Sequence, residues 1–238
     1  MMVTIHQPDF MPWLGFFKKI DRADIWIVLD HTTNNPRDAA FWGRRVKILI
    51  GGEGKWLSLP LQKPKDKGII GVRIDEMKYN LTEAKLFRKA FSSVENSYRR
   101  APYYDEIIPL VHAHLSSQEP SMLIRNMSFI ETVMGHLEIN TKVVKSSEFK
   151  CTQSSTGMLV ELLKGTGGTT YLCGDGASGY QDDALFEENG IGLRYNNFQH
   201  PVYPQYGASE FVPGLSIVDA LMNVGFDGVK QLLRSQKH

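Results

Sequence analysis

The chain has 238 residues, 42% of them hydrophobic, enough for one large domain or two small ones with a sizeable core. Its 27 Lys and Arg balance 26 Asp and Glu, so a net charge of +1 offers no broad electrostatic footprint and argues against a nucleic-acid partner. Cys151 and Cys173 stand too far apart for a disulfide framework or a Cys-based zinc site, and polar His6, Gln7 and Asp9 interrupt any signal sequence. With no run near the roughly 18 to 20 apolar residues of a spanning helix, the expectation is a cytoplasmic protein without membrane insertion.

Residues 2–5 form a short β-type run, Pro8 and Pro12 forbid regular pairing beyond it, and residues 13–20 follow as an apolar helix. His6, Gln7 and Asp9 therefore stand where a strand ends, the usual ligand crevice of an open α/β sheet. The same stretch also reads as a rigid aromatic turn that plugs the core. Residues 24–30 form a nearly continuous apolar strand, so the opening is a Rossmann-like strand, helix and strand unit. A right-handed crossover makes the two strands parallel and brings His6 and Asp30 to one edge. Residues 31–38 are polar and rich in turn formers, a loop over that edge.

Two β-type runs around Gly51-Gly52-Glu53-Gly54-Lys55 predict a hairpin. Arg44 and Arg45 at its entrance read either as a solvated strand end or as an anion clamp, for which Arg has suitable bidentate geometry. The glycine run is not a phosphate loop, because Trp56 occupies the hydroxyl position and a strand follows. Residues 69–74 suggest another short strand. Three helices then break the α/β alternation, over residues 82–99, 102–116 and 120–137, as a helical insertion or subdomain at about 80–140 within one domain spanning 1–238. His112 and His114 lie two apart on a helix and make a poor metal pair, so no metal site is assigned.

After a strand at residues 141–145 and a helix ending at Gly165 to Gly168, residues 169–173 form a strand followed by Gly174-Asp175-Gly176-Ala177-Ser178-Gly179-Tyr180 and a helix start. Strand, glycine loop and helix N-terminus together suggest an anion cradle; a tight glycine turn is the alternative. Residues 191–195 form a further strand. Asn196 to Tyr206 is a third polar and aromatic stretch containing His200, Tyr203 and Gln205, and a helix stopping at Gly225 precedes a last amphipathic helix. The fold class is thus α/β, with a mostly parallel sheet, a β-hairpin and a helical insertion.

His6-Gln7-Pro8 with Pro12-Trp13-Leu14-Gly15-Phe16-Phe17, Trp56-Leu57-Ser58-Leu59-Pro60, Tyr171-Leu172-Cys173-Gly174, His200-Pro201-Val202-Tyr203-Pro204-Gln205, and residues 215–225 together strongly resemble the WbqC-like protein family, in order and over nearly the whole chain. That family occurs in gene clusters for bacterial O-antigen and other surface polysaccharides. The resemblance implies a transferase that adds an amino-acid (glycine) or acyl group to an amino or nucleotide-activated sugar. Two positions depart from the family's usual pattern: His31 stands where a second acid is common, and Cys173 where Ser is common. Cys173 accordingly reads as a small buried strand residue rather than a nucleophile. The opening also looks somewhat like nucleotidyltransferase domains of the HIGH-motif superfamily, although Pro12-Trp13 and Gly15-Phe16 replace the His-x-Gly-His pair.

On these readings the three polar and aromatic stretches meet at one sheet edge. His6 or His200 is the catalytic base, and Asp30 orients it. Gln7, Asp9, Trp13, Gly174, Asp175, Gly176, Tyr180, Tyr203 and Gln205 hold the substrate, and Arg44 or Arg45 meets phosphate. A non-catalytic nucleotide- or glycan-binding protein is the competing expectation. No cofactor is assigned.

Overall fold

A computed structural model describes residues 1–34, 41–62, 71–176 and 181–235. In chain order the elements are β1 (Met2–His6), α1 (Leu14–Asp21), β2 (Ile25–Val28), β3 (Thr33–Asn34), β4 (Arg45–Ile50), β5 (Glu53–Ser58), β6 (Val72–Arg73), α2 (Ala84–Tyr98), α3 (Tyr104–Ser116), α4 (Met122–His136), β7 (Lys142–Lys145), α5 (Ser155–Thr166), β8 (Thr170–Cys173), α6 (Asp183–Glu188), β9 (Gly192–Tyr195) and α7 (Ile217–Ser235). The chain is α/β, as its pattern indicates. It divides into two compact units, one of residues 1–7, 15–31 and 139–199, the other of residues 8–14, 32–138 and 200–238.

The first unit is built on a five-stranded sheet in the order β7-β2-β1-β8-β9, parallel at every pairing. Numbered by chain order within the sheet, the strands run 3-2-1-4-5, which is a doubly wound order that reverses between β1 and β8. Alternate residues explain the two faces. Val3, Ile5, Ile25, Ile27, Tyr171 and Cys173 point to one side, where Val160, Leu162 and Leu163 of α5 and Phe186 of α6 cover them. On the other side Phe16 of α1 lies edge-on to Trp26, with ring centroids 5.5 Å apart. Helices thus cover both faces, which is why these strands carry so few polar residues.

The second unit contains the hairpin β4-β5, the two-residue pair β3-β6, the helices α2 to α4, and α7. The hairpin turn is shorter than the sequence suggests. Gly51 and Gly52, at φ of 62° and 80°, make the turn alone, and Glu53 to Lys55 already belong to β5. The predicted strand at 69–74 shrinks to Val72–Arg73, with a single 3-10 turn at Ile74–Glu76 behind it and residues 69 and 70 outside the described residues. Helix α3 packs against α2, α4 and α7. His114 of α3 is buried, enclosed by the rings of Phe10 and Phe129. Helix α7 breaks at Gly225, where φ is 68° and ψ −179°. Among the described residues no helix is long and apolar enough to cross a membrane.

Candidate functional site

All five strands of the sheet end on one side, and the crevice between β1 and β8 is where a doubly wound sheet receives its ligand. His6 closes β1. Its ring stands edge-on to Phe16, with centroids 5.0 Å apart, and its Nδ1 lies 2.9 Å from the Gln7 carbonyl. A carbonyl only accepts, so Nδ1 carries the proton and Nε2 presents its lone pair in the neutral ring. Burial, helped by the nearby charge of Lys19, pushes His6 down to about 3 against the opposing bond to Gln7. The imidazole is therefore uncharged throughout the physiological range.

Lys19 is the residue that sequence reasoning passes over. It is 4% exposed on α1, and its Nζ lies 3.9 Å from where a Cβ on Gly174 would stand. Its charge reaches both His6, at the end of β1, and Cys173, at the end of β8. A cation thus sits at the switch point of the sheet. The only signal in the sequence is that Lys18-Lys19 falls inside an otherwise apolar helical run, and Lys18 is buried as well, which lowers its pKa. Gly174 leaves open the space beside Nζ that a side chain would fill.

Of the glycine loop expected to form an anion cradle, only Gly174 to Gly176 are among the described residues. Ala177 to Tyr180 lie outside the described residues, so Tyr180 is not placed. Asp175 is exposed and accepts hydrogen bonds from the backbone N–H groups of Asn197 and Phe198, tying the loop after β8 to the loop after β9. The start of α6 already holds acids: Asp182 accepts from Ala184 N at 3.2 Å, and Asp183 accepts from the Tyr195 hydroxyl at 2.6 Å. Carboxylates there take the favourable end of the helix dipole and repel a further anion. Positive charge in this crevice comes from Lys19 instead. Cys173 is fully buried, its thiol 3.3 Å from the Arg194 carbonyl and pushed by burial up to about 11. It stays protonated at neutral pH.

Asp30 is 2% exposed and follows β2, the neighbour of β1. Its carboxylate accepts from the hydroxyls of Ser146 and Ser147 at 2.9 and 2.7 Å and from Ser147 N at 2.9 Å, bracing the end of β2 against the loop after β7. His31 joins the same group, with Nδ1 2.6 Å from Ser146 Oγ.

The remaining expected site residues belong to the second unit. Asp9 is buried. Trp13 stacks at a tilt on His200, centroids 5.0 Å apart, and burial lowers the pKa of that histidine. Between them Met11 takes a left-handed φ of 42°, held because its carbonyl accepts from Ser216 Oγ at 2.7 Å and the Pro12 carbonyl from Ile217 N at 2.8 Å. Pro8 is held likewise, its carbonyl accepting from Asn126 Nδ2 at 2.9 Å. The Arg45 guanidinium lies 3.5 Å from the centre of the exposed Trp56 ring, which pairs with the exposed Trp42. Burial and the neighbouring Arg45 lower the pKa of Arg44.

Tyr203 and Gln205 are spent inside the unit. The tyrosine hydroxyl donates to Asp219 at 2.9 Å and Gln205 Nε2 at 2.8 Å, while Tyr98 donates at 2.9 Å to the other oxygen. Burial raises the pKa of Asp219, and the three donors oppose that rise. Among the described residues no group of three or more His, Cys, Asp or Glu is placed to hold a metal ion.

The model of the WbqC-like protein family matches residues 7–231. The uncharacterized protein Rv1507c of Mycobacterium tuberculosis is 28% identical over 227 residues, 94% of each chain. No solved structure matches.

Proposed function

The chain belongs to the WbqC-like protein family, and on that premise we propose that it is a transferase adding an acyl or aminoacyl group, such as glycyl, to an amino or nucleotide-activated sugar in bacterial surface-polysaccharide biosynthesis. The observation that carries this reading is the buried Lys19 ammonium beside His6 and Gly174, at the sheet's switch point. A buried cation next to an open glycine position suits a phosphate of an activated sugar, since charge is worth more where water is excluded.

In this reading Nε2 of His6 takes the proton from the attacking amine or hydroxyl of the acceptor. The fixed tautomer supports the role, while a value of about 3 makes His6 by itself a weak base. An anion at Lys19 offsets the charge that helps hold His6 down, so substrate binding itself raises its basicity. Gln7 and Gly174 line the same strand ends, and Asp30 and Asp175 brace the loops.

Thermal-shift measurements with nucleotide-activated amino sugars test the site. A ligand at 100 times its dissociation constant adds about 2.7 kcal/mol of stability. Lys19→Met is expected to abolish the shift, and His6→Ala to leave the shift while lowering transfer of a labelled acyl group at least about 100-fold. No shift by any nucleotide sugar sinks the proposal. The low pKa of His6 favours a second reading, a nucleotide- or glycan-binding protein without catalysis. A ligand shift that depends on Lys19, with no transfer in the native chain, selects that one.

A further inference from the structure

A groove of about 380 Å³ runs between α2 and α3 within the second unit. One wall is a stripe of α2 on which Ala84, Phe87, Arg88 and Phe91 follow one another at helical spacing, so all four face the same way. Phe87 and Leu115 of α3 are buried and form its bottom, and Leu81, in the 3-10 turn before α2, extends the apolar surface. The ring of His112 on α3 stands edge-on to Phe91, with centroids 5.0 Å apart. At the rim Arg88 and Ser92, one turn apart on α2, are exposed. Among the described residues neither of their side chains has a hydrogen bond or an ion pair.

An apolar cleft of this volume with a few polar groups converging at its rim has the usual form of a small-molecule site. The charge decides which molecule. No Asp or Glu lines the groove among the described residues, and Lys85 and Lys89 carry the positive stripe of α2 past Arg88 on the exposed side. An organic cation is therefore repelled, an uncharged apolar body leaves Arg88 unused, and an inorganic anion leaves the apolar bottom wet. A monoanion matches the one cation that lines the groove. The body follows from the walls: Phe87 and Phe91 offer two rings, and rings pair offset or edge-on with more than their area alone gives. We propose that this groove binds an aromatic monocarboxylate, its ring against Phe87, Phe91 and Leu115 and its oxygens accepting from the Arg88 guanidinium and the Ser92 hydroxyl. This second ligand site shares no residue with the crevice beside Lys19 and does not depend on how that crevice is read.

Isothermal titration of the full chain with sodium hydrocinnamate, hydrocinnamyl alcohol and sodium hexanoate tests it. Hydrocinnamate is expected to bind saturably, at least about tenfold tighter than the alcohol, which lacks the charge, and about threefold tighter than hexanoate, which lacks the ring. Arg88→Gln is expected to weaken hydrocinnamate at least about tenfold. Arg88 and Ala84 are both exposed, so neither variant disturbs the packing of α2, and Ala84→Trp serves as the second one: it fills the groove, leaves Arg88 in place and is expected to cost the same factor. Absence of saturable binding to the native chain, native affinity in Arg88→Gln or in Ala84→Trp, or alcohol or hexanoate binding as tight as that of hydrocinnamate overturns the proposal. Loss of binding in Lys19→Met together with native affinity in Arg88→Gln assigns the acid to the crevice and overturns it as well.

Discussion

His6 at the end of β1 and the buried Lys19 of α1, beside Gly174, share one electrostatic problem, two basic groups within reach of each other, and the imidazole solves it by staying uncharged. Its nuclear magnetic resonance signals are therefore expected not to titrate between pH 5 and 8. Replacing Lys19 by Met removes the second of the two causes and raises the apparent pKa, which still stays below the ordinary 6.5 because burial is the larger cause. A native chain whose His6 titrates near 6.5 contradicts this account. Cys173 offers a check of a different kind. Its thiol is expected to resist iodoacetamide at pH 7.5 in the folded state, and Cys173→Ser to cost no more than about 1 kcal/mol in urea unfolding, since a serine hydroxyl can also donate to the Arg194 carbonyl. Rapid alkylation of the folded chain, or a loss well above that figure, tells against a satisfied buried position.

Among the elements, α7 shows how one residue sets a boundary. Gly225 combines φ of 68° with ψ of −179°, a region open only to glycine, and a Cβ there would stand 2.7 Å from the Tyr103 ring. Tyr103 is 40% exposed and can yield part of that space, so the backbone dominates. Gly225→Ala is expected to lower stability by about 1–3 kcal/mol with an unchanged urea m-value, and a change under about 0.5 kcal/mol would mean that α7 can run through unbroken. This break was legible beforehand, because an apolar helical period stops at a glycine and restarts after it. The strands were legible too, as short Val- and Ile-rich runs between turn residues. Their order was not, since no local feature says that Met2 pairs with Thr170. The site divides in the same way. Strand ends place His6, Gln7 and Gly174, but a lysine in an apolar helix ordinarily reads as one that reaches out to water, which hid Lys19. Tyr203 and Gln205 were singled out by residue type, and type is blind to whether a polar group faces a ligand or a buried carboxylate such as Asp219.

For the molecule as a whole, each unit carries one histidine held near 3, His6 in the first and His114 in the second. The sign follows from linkage. Below 6.5 the unfolded chain takes up protons that the folded chain refuses until pH nears 3, so stability is full above 6.5 and falls as pH drops through that window. The slope is at most about 1.4 kcal/mol per pH unit for each histidine. Asp219 acts in the opposite sense at lower pH, because its folded pKa is raised above 3.8 and protonation relieves its burial. Urea midpoints are expected to fall between pH 7 and 5, with His6→Gln and His114→Gln each flattening the decline; a flat native profile excludes this account.

The backbone passes from one unit to the other after Gln7, Leu14, His31, Glu138 and Gln199. Neither unit is therefore an uninterrupted stretch of message. During synthesis the central strand β1, Met2–His6, emerges well before its partner β8, Thr170–Cys173. At about 5–20 residues per second the ribosome takes on the order of ten seconds or more to supply that partner. Through that interval one edge of Met2 to His6 is an open template, exposed to chaperones and to neighbouring nascent chains alike. The crevice beside His6 and Lys19 can form only once β8 has been made, so a chain stalled before β8 lacks the Gly174 position that stands beside the lysine.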